Sequence, residues 1–86
     1  SRQGSYARIM LFADSLTSEE SRIYTDENKF LPLNLVMKNN RFFYVDSTDL
    51  FCASKNRYFI TAKEQFPCKT TRLKKIKKYH FWHNPK

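Results

Sequence analysis

Three runs of aromatic and β-branched residues stand close together in the middle of the chain: RFFYV (41–45), LFCAS (50–54) and RYFIT (57–61). Only DSTD and KN separate them. Each run has strand length and each spacer is polar and turn-compatible, so the spacing predicts an antiparallel meander of short strands. Eight Phe and five Tyr in 86 residues supply large side chains that help a small sheet close a core. Most of these rings are therefore expected inside. A chain of this length makes one domain whose core is marginal without further support.

Outside that stretch the signals are weaker. YARIMLF (6–12) is an apolar run of strand length whose periodicity also admits a short helix. In DSLTSEESR, Thr17 stands three residues before Glu20 in a capping-box arrangement, which predicts at most one or two helical turns. TDEN (25–28) is a turn signal. KFLPLNLVM then reads as extended, with Pro32 placing it at an edge or a strand start. The expected fold class is mainly β: a small antiparallel sheet of short strands with at most one short helix and a basic C-terminal extension.

Charge divides the chain. Residues 1–68 hold nine basic and eight acidic side chains, a net of +1, while residues 69–86 carry the other +7 of the total of +8. We read 1–68 as a near-neutral small β domain. The segment 69–86, KTTRLKKIKKYHFWHNPK, is a basic, aromatic-bearing part of the same domain. Such asymmetry points to nucleic acid or an anionic surface. The competing reading is a flexible, solubilising tail. Against it stand Leu73, Ile76, Tyr79, Phe81 and Trp82, and the absence of the Gly and Ser that make linkers flexible. In this reading Lys69, Arg72, Lys74, Lys75, Lys77 and Lys78 neutralise backbone phosphates. Tyr79, His80 and Trp82 stack on unpaired bases; packing of Trp82 onto the sheet is an equal alternative.

Catalytic motifs are missing. No Gly-rich phosphate loop, nucleophile elbow or H-E-x-x-H occurs, and Asp46 and Asp49 bracket a turn that such residues commonly cap. No enzyme activity, cofactor or small-molecule substrate is expected. No apolar run reaches the roughly 18–20 residues that span a bilayer, and no secretory signal pattern appears, so no membrane partner is expected. The chain opens on Ser1 rather than Met, which implies an upstream segment: a cleaved targeting peptide or an artificial boundary.

Cys52, Cys68, His80 and His83 form Cys-x15-Cys-x11-His-x2-His, a chemically sound tetrahedral zinc set with irregular gaps. The order resembles FLYWCH-type zinc fingers, with LFC, CKTTRL and HFWH as the matching pieces, although those expect a Trp near Leu50 or Phe51 and one residue between the histidines. That resemblance implies a DNA-binding domain. The simpler reading, which we prefer, has no bound metal: Cys52 is a buried small hydrophobe, Cys68 sits in a turn after Pro67, and the histidines face an anionic partner. Two cysteines make one disulfide at most.

The second half also resembles the bacterial-type large-subunit ribosomal protein thirty-one family. The pieces FFYVDSTDLFCAS, QFPC and KYHFWHNPK occur in the family's order, with TRLKKIKK as a strand between the last two. Departures are Asp49 where the family often has Gly, no Pro after His80, no Ile-His-Pro opening, and no Cys pair of the zinc-binding subtype. The resemblance implies a structural protein of an organellar, mitochondrial ribosome, with ribosomal RNA and neighbouring ribosomal proteins as partners.

Overall fold

The fold was analysed in a computed structural model that describes residues 4–17 and 20–85. Its centre is a five-stranded sheet of β1 (Arg22–Thr25), β2 (Arg41–Tyr44), β3 (Arg57–Thr61), β4 (Thr71–Ile76) and β5 (Tyr79–Asn84), in the order β2-β1-β3-β5-β4. The small, mainly sheet fold of short strands is the one expected. Its pairing is mixed rather than antiparallel: β1 lies parallel to both β2 and β3, and only β3–β5 and β4–β5 are antiparallel. RFFYV and RYFIT are strands as read, yet they flank β1 instead of pairing with each other.

Helical content exceeds the expected single short helix. YARIMLF belongs to α1 (Ser5–Ser15). Ile9, Phe12, Ala13 and Leu16 follow the i, i+3, i+4, i+7 spacing and pack on the sheet, a helical period visible only when the window reaches Leu16. LFCAS is not a strand but most of α2 (Asp49–Ala53), with Phe51 fully buried beneath it. KFLPLNLVM is not extended either: Asn28–Leu35 form a 3₁₀ helix with Pro32 inside it and Phe30 turned inward. Of the capping-box stretch, Ser18 and Glu19 lie outside the described residues, and α1 has already ended at Ser15.

Strand alternation divides the interior into two cores. Ile23, Phe42, Tyr58, Ile60, Ile76, Tyr79 and Phe81 point to one face, where Ile9 and Ala13 of α1 and Phe30 of the 3₁₀ helix cover them. Tyr24 and Phe59 point to the other, under Phe51 of α2 and Phe66 of the segment between β3 and β4. Cys52 and Cys68 are joined in a disulfide that ties α2 to that segment. This corrects the expectation of free thiols.

The end of α1 is held by the chain that leads into β2. Asp14 accepts backbone N–H bonds from Lys38 (3.0 Å), Asn39 (2.8 Å) and Asn40 (2.9 Å). Asn40, itself buried, donates its side-chain amide to the carbonyls of Ala13 and Leu16 at the end of the helix, where carbonyls lack a full set of helical partners. Burial pushes the Asp14 carboxyl up, but the three N–H groups and the Arg41 charge outweigh it and hold it below its ordinary 3.8. A depressed carboxyl stabilises the fold above its unfolded pKa and loses that contribution as pH falls through the folded value. Asp14→Ala should therefore cost about 2–3 kcal/mol at neutral pH, because it strips several charge-assisted bonds at once. Urea unfolding should show the gap from wild type closing below pH 3.8; a gap that stays constant into acid would remove the clasp.

Candidate nucleic-acid interface

The basic segment is no extension. It supplies β4 and β5, and β5 lies inside the sheet between β3 and β4. Ile76, Tyr79 and Phe81 bury in the larger core, so the hairpin is fixed by the same contacts that hold the fold. β4 is the outer edge, with Thr71 through Lys75 exposed.

One irregularity decides how its charges are displayed. The β4–β5 register slips between Arg72 and Lys74, so Arg72 pairs with Trp82 and Lys74 with Phe81. Two residues that a regular strand would place on one face are thereby sent to opposite faces. Arg72 and Lys75 stand on the α2 side, where Arg72 Nη1 lies 3.3 Å from His80 Nδ1 and Lys75 pairs across from His80. Lys74 stands on the α1 side with its ammonium 5.6 Å from the Phe12 ring centre. Lys77 and Lys78 form the two-residue turn. Lys78 lies over the Tyr79 ring at 5.6 Å, and Lys77 has a left-handed φ of 56°. Lys69 is exposed just before the strand. Among the described residues no ion pair engages these six cations.

The rings expected to stack on bases are covered to different degrees by the fold. Tyr79 is buried, meeting the Phe30 ring edge-on at 4.9 Å, and its hydroxyl accepts a hydrogen bond from Lys29. His80 is 2% exposed. A guanidinium only donates, so Nδ1 accepts from Arg72 and the neutral ring carries its proton on Nε2. Burial first, then the Arg72 and Lys75 charges, push the His80 pKa below its ordinary 6.5, with Glu64 acting in the opposite sense. Trp82 is half-buried against Phe66 at 5.7 Å and donates weakly to the Lys63 carbonyl at 3.4 Å. The packing role for Trp82 is the one the structure shows. Core partners cover Tyr79 and His80, whereas Trp82 keeps part of its ring exposed.

The four proposed zinc ligands are not brought together. Both sulfurs are consumed in the disulfide. His80 and His83 lie three residues apart on one strand and so face opposite sides of the sheet. His83 stacks on Tyr58 at 4.8 Å and pairs its Nε2 with Asn56 at 2.9 Å. Among the described residues no three His, Cys, Asp or Glu side chains cluster as a metal site. One cation was missed in the sequence: Lys29, on the 3₁₀ helix, sits 5.1 Å from the Tyr79 ring centre beside the hairpin. Nothing local could have revealed it, because Tyr79 is fifty residues away.

Comparison with family models, curated proteins and solved structures finds no match. The ribosomal likeness thus stands on its short motifs alone, and FFYVDSTDLFCAS, its longest piece, folds as a strand followed by a helix.

Proposed function

We propose that this is a non-catalytic, RNA-binding protein that grips the phosphate backbone with the outer edge of β4 and the turn after it. The observation that carries the reading is the exposed row Arg72, Lys74, Lys75, Lys77 and Lys78. These five cations are held on a rigid hairpin, and none has an ionic partner among the described residues. A solvated tail would not have its intervening side chains in the core. Contacts of this kind position a nucleic acid without reading its sequence. The ribosomal setting implied by the family resemblance is one place where such an edge would serve. The disulfide favours another, because such bonds persist in oxidising compartments and are rare in reducing ones.

If all five cations meet phosphates, log K against log salt should have a slope of about −3.5 on a single strand and about −4.5 on a B-DNA-like duplex. Changing Lys74, Lys75, Lys77 and Lys78 together to Gln should leave a slope of about −1. Fluorescence anisotropy across a salt series reads both. An unchanged slope in the quadruple variant would place the binding surface elsewhere.

A further inference from the structure

We infer that the ligand of this hairpin is a double helix, with the β4 edge set between two phosphate backbones. The inference rests on the nucleic-acid reading above and adds the class of ligand. Two independent features carry it.

The first is the distribution of charge and rings. A protein that holds a single strand combines one cationic track with exposed rings on which successive bases stack. Here the track has two sides: Arg72 and Lys75 on the α2 side, Lys74 and Lys78 on the α1 side, with Lys29, itself ion-paired to Glu27, next to them. The rings of the hairpin itself are mostly covered, since Tyr79, His80 and Phe81 are buried and Trp82 packs on Phe66, and the one exposed ring near Lys29 is the lone Tyr6 of α1, which packs edge-on against Phe30. The exposed Phe43 and Tyr44 belong to β2, at the opposite edge of the sheet. A two-sided cationic ribbon with no row of successive exposed rings matches two backbones flanking a groove, where shape and phosphates are contacted and bases stay paired.

The second is the turn. A left-handed φ at the first central position of a two-residue hairpin is met by Gly, Asn or Asp at low cost. A side chain bearing a Cβ there costs about 1–2 kcal/mol. Lys77 occupies that position at φ 56°. Strain of this kind persists where the side chain is needed for something other than folding. What Lys77 provides is a cation at the tip of the ribbon, the part that would reach deepest into a groove.

The test uses the whole protein, an RNA duplex, a DNA duplex of the same sequence and each separate strand, at one fixed salt concentration. The duplex should bind at least about tenfold more tightly than either strand, and the comparison of RNA with DNA assigns the helix type. Lys77→Gly should raise the melting temperature yet weaken duplex binding, making the duplex salt slope shallower by about 0.9. Equal or tighter binding to single strands overturns the inference while leaving the nucleic-acid reading in place. Lys77→Gly that binds the duplex as well as wild type also overturns it. Binding to none of these duplexes or strands defeats both.

Discussion

Reducing the Cys52–Cys68 bridge should destabilise the fold by about 3 kcal/mol, the chain-entropy value for a loop near 15 residues. The two cysteines are 16 residues apart, and the loop they close contains all of β3 and Phe66. Phe66 meets Phe51 and Phe59 at 5.1 Å each, so the bridge holds down the lid of the smaller core. In a domain of this size each kcal/mol shifts the midpoint by about 4–8 °C, so reductant should lower it by roughly 12–24 °C. Cys52→Ser, Cys68→Ser and the double substitution should each show that same fall, because either change removes the whole bond. A metal site predicts something different: sensitivity to chelator and indifference to reductant. Thermal unfolding with reductant, with chelator and in the three Ser variants separates them. A midpoint unmoved by reductant, with two thiols titrating in the native protein, would rule the bridge out.

Phe30→Ala should be the most damaging single substitution in the larger core, at about 3–5 kcal/mol. The ring is fully buried and meets Tyr6 of α1, Phe42 of β2 and Tyr79 of β5 at 5.8, 5.6 and 4.9 Å. Removing it leaves a void bordered by three elements that cannot all close in on it. Urea unfolding should show a lower midpoint at an unchanged slope. Leu35→Ala is the control. It lies on the same 3₁₀ helix at 89% exposure and should change stability by no more than about 0.5 kcal/mol. A Phe30→Ala loss as small as that control would mean the 3₁₀ helix does not anchor the core.

Strands were readable where aromatic and β-branched residues fill one short run, as in RFFYV and RYFIT. LFCAS failed because four apolar residues in a row carry no period, and what fixes α2 is Phe51 against Tyr24, Phe59 and Phe66. The parallel pairing was out of reach for a different reason. β1 aligns Ile23 with both Phe42 and Tyr58, and no local pattern specifies a partner so far along the chain. At the candidate interface, sequence alone located the cations, since exposure is the default for Lys and Arg. It did not reveal that Tyr79 and His80 are buried, since their exposure depends on what the rest of the chain lays over them.

Asn34 gives the sheet an unequal pair of borders. Its side-chain amide donates to the Phe42 carbonyl at 2.9 Å and accepts from the Phe42 N–H at 2.7 Å, as a neighbouring peptide group would. The β2 border is thereby sealed at Phe42 by chemistry. The β4 border is guarded by charge instead, because two copies approaching edge to edge bring lysines against lysines. A chemical seal works in any solvent, whereas a guard made of like charges weakens as ions screen it. Colloidal behaviour thus depends on the ionic medium through one strand, and any polyanion that covers this edge also removes what keeps the copies apart.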